Sequence, residues 1–197
     1  MSHDQITRKV FGITHETVVR RILATFDRAT PGILEAGAQW YPSAGQIAAS
    51  LVGEYVETAE KGAALLAALS PRTDWARNVA GAVSMAMGGE AAHCMSANVD
   101  RAQRVLDADP CDAIAVLDTG TAPKITAFAR NIAGDVEAVT VDVWACRVAG
   151  LDETLLSRKG AYDAVAHAYR LAARRRGVDP STMQAATWIV ARNGRAS

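Results

Sequence analysis

The sequence predicts an all-α protein, and three observations predict it. Half of the 197 residues are hydrophobic but only 6% are aromatic, with alanine prominent. That is the balance of a helical protein with enough chain for a real core. Apolar residues recur at spacings of three and four along most of the chain. Ser, Thr, Pro and Gly fall at the ends of those runs, where caps and stops belong. No internal repeat, low-complexity segment or long linker divides the chain, so 1–197 reads as a single helical unit. No apolar run approaches the length of a membrane span.

The elements follow in order. Thr14 caps HETVVRRILATF, where Val18, Val19, Ile22, Leu23 and Phe26 form one apolar face. Thr30 and Pro31 start a new helix, with Pro31 at its first position. The triplet Tyr41, Pro42, Ser43 then breaks the chain, and Ser43 caps AGQIAASLVGEYV. A further apolar helix, Ala59 to Leu69, ends at Ser70 and Pro71. Thr73 caps DWARNVAGAVSMAM, which Gly88 and Gly89 end. Asn98 is the candidate cap of a helix starting near Val99. Pro110 leads the short helix CDAIAVLD, and a turn at 118–122 follows. Pro123 and Lys124 open ITAFARNIAG, with Ile125, Phe128 and Ile132 facing inward.

The segment VEAVTVDVW carries a conflict. Val139, Val141 and Val143 alternate with polar residues, which by propensity alone is a strand. A lone strand without a partner would be odd in a chain this helical. Two helices then close the chain. One spans 158–176, with Tyr162, Val165, Ala166, Tyr169 and Ala173 on one face and Gly177 as its stop. Pro180 and Ser181 open the other, TMQAATWIVAR.

Lys plus Arg and Asp plus Glu both number 21, so the net charge is zero. A protein that neutralises phosphates usually shows a basic surplus. A neutral total can still hide a basic face, for which Arg72, Arg77, Lys124, Arg130 and the run Arg174, Arg175, Arg176 are candidates. Cys94, Cys111 and Cys146 lie far apart without metal-type spacing and read as buried free thiols in a reducing compartment. His3, His15, His93 and His167 show no pairing and read as non-catalytic. The N-terminus MSHDQITRKVFG lacks the apolar core of a signal peptide, so a cytoplasmic protein is expected.

The stretch GTAPKITAFARNIAGDVEAVTVDVWACR holds a glycine-containing turn, Lys124, a helix-like run, and Asp142 at 18 positions beyond the lysine. It resembles the helix-hairpin-helix (HhH-GPD) DNA glycosylases, most of all their endonuclease III branch. That branch carries L-P-G-V-G-x-K, a helix, and V-D-x-H-x-x-R-V at the same lysine-to-aspartate spacing. Lys124 falls on the family's lysine nucleophile and Asp142 on its essential aspartate. Ala122 stands where the hairpin has its second glycine, and Trp144 where the family has histidine. The string LLAALSPRTDW is similar to the family's L-L-S-A-Q-x-T-D. It puts Arg72 at the residue that fills the gap left by a flipped base; read alone, Arg72 is an ordinary loop arginine. The resemblance covers about 65–192 and is strongest over 117–150.

The resemblance implies a two-lobed helical glycosylase-like fold, with a helix-hairpin-helix at 112–132 and a cleft between the lobes. It implies an extended lead-in followed by a helix from Asp142 to Ala149, stopped by Gly150. It implies a monomer acting on double-stranded DNA, not on a membrane, in the cytoplasm at the nucleoid, or in a host's cytoplasm if phage-encoded. The family's four-cysteine tail is absent, so no iron–sulfur cluster or other cofactor is expected. A structural cation at the hairpin, monovalent or divalent, is compatible with the resemblance.

Each residue then has a chemical role. Backbone N–H groups at Gly120, Thr121 and Ala122 would bind a DNA phosphate without reading a base. The Asp142 carboxylate would steady positive charge on the sugar as the glycosidic bond breaks. An N-cap role is compatible with this. Lys124 would either attack C1′ and form a Schiff base or hold a phosphate. An exposed lysine, with a pKa near ~10.4, is mostly protonated, so the nucleophile's role requires burial. Trp144 would be a flat wall for an extruded base, or a core residue. Three functions are open: a base-excision glycosylase with or without lyase activity, a phage-type DNA base hypermodification enzyme on the same fold, and a non-catalytic DNA-binding module.

Overall fold

Caps and glycine stops set most helix ends in this protein. The computed structural model describes residues 1–118 and 123–192. Among the described residues there are ten α-helices and no strand. They are α1 (His3–Phe11), α2 (His15–Phe26), α3 (Pro31–Ser50), α4 (Ala59–Leu69), α5 (Trp75–Ala86), α6 (Ser96–Asp107), α7 (Pro123–Ile132), α8 (Val143–Ala149), α9 (Ala161–Arg176) and α10 (Pro180–Ala191). Short 3-10 turns lie at Pro110–Asp112, Ala115–Leu117 and Glu153–Ser157. No helix among the described residues is long and apolar enough to cross a membrane.

Local signals explain the ends. Thr14 Oγ1 accepts the Thr17 N–H at 3.1 Å to start α2. Gly150 and Gly177 take left-handed conformations that stop α8 and α9. α1, which the sequence reading does not set apart, starts with a reciprocal cap: Ser2 Oγ accepts from Gln5 N, and Gln5 Oε1 accepts from Ser2 N.

Several expectations are corrected. α5 is capped by Asp74, whose Oδ1 accepts the Arg77 N–H at 3.0 Å, and not by Thr73; Thr73 N–H closes a turn onto the Ser70 carbonyl instead. α6 begins at Ser96, so Asn98 is inside it rather than its cap. The segment expected to be the hairpin's first arm is two 3-10 turns rather than an α-helix. α9 starts at Ala161, after a 3-10 turn, and not at 158. The break at Pro42 does not occur: α3 runs through it, and Ser43 lies within the helix. A proline deletes one donor, and the bonds on either side can carry a helix across the gap.

The chain forms two compact units, Met1–Trp40 with Val136–Ser197, and Tyr41–Asp135. The triplet that reads as a helix break is therefore where the chain changes unit. Each half of α3 is anchored by a close approach. A Cβ on Gly37 would lie 2.9 Å from Ala186 of α10, and one on Gly45 would lie 2.8 Å from the Ile132 carbonyl oxygen. Both contacts lie within a single unit.

In the first unit, Val18, Val19 and Ile22 of α2 meet Tyr169 and Ala172 of α9, Cys146 of α8 and Met183 of α10 in one core. In the second, α4 is central: every residue from Lys61 to Leu69 is buried, and α5, α6 and α7 pack around it. Burying Leu65, Leu66 and Leu69 contributes about 2 kcal/mol each. Lys61 is buried too, its Nζ 2.7 Å from the half-exposed Glu57 carboxylate.

Candidate functional site

Asp142 lies at the end of a segment without regular secondary structure, 138–142, whose buried Val139 and Val141 enter the first unit's core. The residue is extended (φ −107°, ψ −175°), and its Oδ1 accepts the Ala145 N–H at 2.8 Å. Among the described residues no strand lies beside the segment, so its polar backbone atoms need other partners. Tyr162 of α9 supplies two: its hydroxyl donates to the Val139 carbonyl and accepts the Val141 N–H, both at 3.0 Å. Tyr169, fully buried, donates to the Ala145 carbonyl at 3.2 Å. Burial holds both phenols protonated well above the usual range, and the Asp142 charge adds to this. Neither tyrosine was legible from the sequence, where both read as plain apolar-face residues.

Trp144, two residues after Asp142, is half-buried, and the Arg147 guanidinium lies over its ring, 4.5 Å from the centroid. One face of the proposed base wall is thus covered by a cation. Cys146 is buried, and burial and the Asp142 charge push its thiol up to about 12, which leaves it unreactive. Cys94 is half-buried and Cys111 exposed, which corrects the expectation that all three thiols are buried.

Arg72 is the one non-glycine residue with positive φ among the described residues, at 58°. Left-handed backbone is strained for arginine. The turn carrying it is braced from α6. Asn98, 3% exposed, donates to the Pro71 carbonyl at 2.8 Å, and its own Oδ1 accepts from Arg101 at 3.1 Å. The buried asparagine that reads as a helix cap is instead the prop under the Arg72 turn. Arg72 is exposed and makes no ion pair among the described residues.

Lys124 is half-buried in the first turn of α7, in the unit Tyr41–Asp135, while Asp142 and Trp144 belong to the other. Gly120, Thr121 and Ala122, the proposed phosphate-binding turn, lie outside the described residues. The charge is not evenly shared. The unit that includes Asp142 has 14 Lys and Arg against 10 Asp and Glu, net +4; the unit that includes Arg72 and Lys124 has 7 against 11, net −4. The expected basic face is also largely neutralised. Arg77 pairs with Asp74, Arg130 with Asp135, Arg175 with Glu16 and Arg176 with Asp27.

The histidines correct another expectation. His15 Nε2 and His167 Nδ1 are 3.0 Å apart, and the His3 ring stacks on His167 at 3.9 Å between centroids. Thr7 Oγ1 sits 3.1 Å from His15 Nδ1, and Asp4 accepts the His15 backbone N–H. Three helices bring these residues together, so spacing along the chain could not show it. Among the described residues, no group of three or more His, Cys, Asp or Glu is placed to hold a metal ion. An open pocket of about 440 Å³ in the second unit is lined by Thr58, Glu60, Pro110, Cys111 and Ile114, none of them a candidate residue.

These features define an all-α protein with a tyrosine-held aspartate in one unit and a strained, braced arginine turn in the other. Residues 4–195 match the model of a family of unknown function, DUF7178, and the chain belongs to that family. No curated protein and no solved structure matches it.

Proposed function

We propose that this protein is a DNA N-glycosylase of the helix-hairpin-helix type, which extrudes a damaged or modified base from the duplex and releases it. The observation that carries this reading is the change from extended chain to helix at Asp142. Strand propensity argues against a helix start there; the resemblance to the glycosylases requires one, and Asp142 caps α8. Asp142 is half-buried, extended at the helix start, and followed two residues on by a half-buried tryptophan. That is an environment in which a fixed negative charge steadies developing positive charge better than it could in water. Arg72 adds support, because strain at an exposed arginine with no ion pair among the described residues points to a function that outweighs the strain.

In this reading Asp142 stabilises the sugar cation as the glycosidic bond breaks, Arg72 fills the space the extruded base leaves, and Trp144 lines its new position. Lys124 either attacks C1′ or binds a phosphate. Base hypermodification on the same fold is the second reading, favoured by Trp144 in place of histidine and by the Arg147 guanidinium over its ring. A purely DNA-binding module is disfavoured, because it leaves Lys124 and Asp142 without a chemical role and the neutral chain gives it poor support.

The test is a panel of duplexes carrying uracil, oxidised pyrimidines, 8-oxoguanine, mismatches, or modified cytosine or thymine. Release of free base from one of them supports the glycosylase. A modified nucleoside kept in the strand supports hypermodification instead, and no change to any duplex counts against both. Borohydride decides the role of Lys124: a nucleophile is trapped as a covalent adduct in wild type and not in Lys124→Gln, whereas a phosphate contact yields no adduct in either.

A further inference from the structure

We infer that Tyr162 is the positioning residue for Asp142: its hydroxyl ties residues 139 and 141 to α9 and thereby fixes the direction of the carboxylate at 142. The inference rests on the proposed role of Asp142 and names a residue to which that reading assigns nothing.

An extended segment without a sheet has no ladder to hold it, and its buried polar groups must be satisfied one by one. The two apolar anchors, Val139 and Val141, are each 1% exposed. They fix the depth of the segment. Arg170 Nε, donating to the Glu137 carbonyl at 2.8 Å, and the Ser181 N–H, donating to the Val136 carbonyl at 3.0 Å, hold its start. Tyr162 sets the twist directly before Asp142. That twist governs where the next side chain points. Tyr162 Oη meets the Val139 carbonyl and the Val141 N–H from one point, at 3.0 Å each. Two bonds converging on a single oxygen fix the rotation of the peptide units between them. Asp142 is the next residue, and its own cap bond to Ala145 N then sets the carboxylate against the start of α8.

The hydroxyl both donates and accepts here, so only a neutral phenol can make the arrangement. Burial and the nearby Asp142 charge keep it neutral. Phenylalanine fills nearly the same volume but leaves a carbonyl and an N–H without partners in the core, which loosens the segment without creating a large cavity.

Tyr162→Phe is the test, with two readouts. In single-turnover base release on the duplex that wild type processes, the rate falls about tenfold, as a small misplacement of a catalytic group does. Affinity for that duplex stays within about twofold, because the tyrosine touches no substrate. By amide exchange, Val141 and Ala145 lose about tenfold protection while α10 keeps its own. Val165→Ala, a small cavity on the same helix, is the matched control for destabilisation; it keeps the wild-type rate and the Ala145 protection.

A wild-type rate in Tyr162→Phe, or a rate loss matched by Val165→Ala, overturns the inference. If Tyr162→Phe does not fold, wild-type exchange decides: Val141 N–H must be as protected as the interior of α9, and free exchange there overturns the clamp. If wild type releases no base from any duplex, the glycosylase reading fails separately. Unchanged Ala145 protection in Tyr162→Phe then overturns the positioning role as well.

Discussion

In the proposed function, Arg72 is the residue at which function and stability oppose each other. Its left-handed backbone costs about 1–2 kcal/mol relative to a relaxed conformation. Glycine would remove that strain, although it gains more freedom on unfolding and offsets part of the gain. Arg72→Gly should therefore raise the unfolding free energy by about 1 kcal/mol in a urea titration, while weakening binding to a damaged duplex more than to single strands. A destabilised variant, or one with unchanged duplex binding, would remove Arg72 from the account. That Arg72 lies in a turn between two helices was legible from LLAALSPRTDW, but its strain was not, because φ depends on bracing by Asn98 from 26 residues away. The same limit hid Tyr162. A tyrosine on an apolar face reads as core, and nothing local shows that its hydroxyl meets residues 139 and 141.

At the scale of elements, the helices with strong local punctuation were legible. Thr14, Gly150, Gly177 and Pro180 each mark a boundary that the structure has. The misreadings arose where tertiary contacts override a local signal. Pro42 and Ser43 read as stop and start, yet α3 continues because Gly37 and Gly45 anchor it on either side. The join of α1 to α2 and α9 was illegible for a similar reason, since its histidines are brought together only by the fold. That join predicts a pH dependence. Desolvation, helped by the neighbouring His3 charge, lowers the pKa of His15; desolvation, then His3 and His15, lowers that of His167 to about 4. The charged groups facing them are His3, Asp4 and Glu16, and Arg170 and Arg174 of α9 itself. An unfolded histidine titrates near ~6.5, so below that pH the unfolded chain takes up protons that the folded chain does not. The stabilisation is present above 6.5 and is lost as pH falls towards 4. Asp4, Glu16 and Asp27 have lowered carboxyl pKa values through Arg8, Arg175 and Arg176, and their contribution is lost only at lower pH. Urea titrations from pH 7 to 4.5 should show wild type losing stability on acidification and His167→Gln losing less. Equal slopes would show that the ring cluster does not hold the helices together.

At the scale of the whole molecule, composition indicated an all-α chain, and periodicity located most of its helices. Composition could not show that the neutral total divides into a unit of net +4 and one of net −4, because one unit joins the two ends of the chain around the other stretch of sequence. This division separates the proposed residues: Arg72 and Lys124 belong to the acidic unit, and Asp142 to the basic one. The account therefore rests on Asp142 more than on any phosphate contact. The most direct measurement compares wild type with Asp142→Asn for base release across the duplex panel, with binding to the same duplexes measured in parallel. Asparagine keeps the shape and the cap and removes the charge. The account predicts that wild type frees a base from at least one duplex, and that Asp142→Asn lowers that rate by about a hundredfold or more with binding within about threefold. Base release at the wild-type rate by Asp142→Asn, or no release by wild type from any duplex, would contradict it.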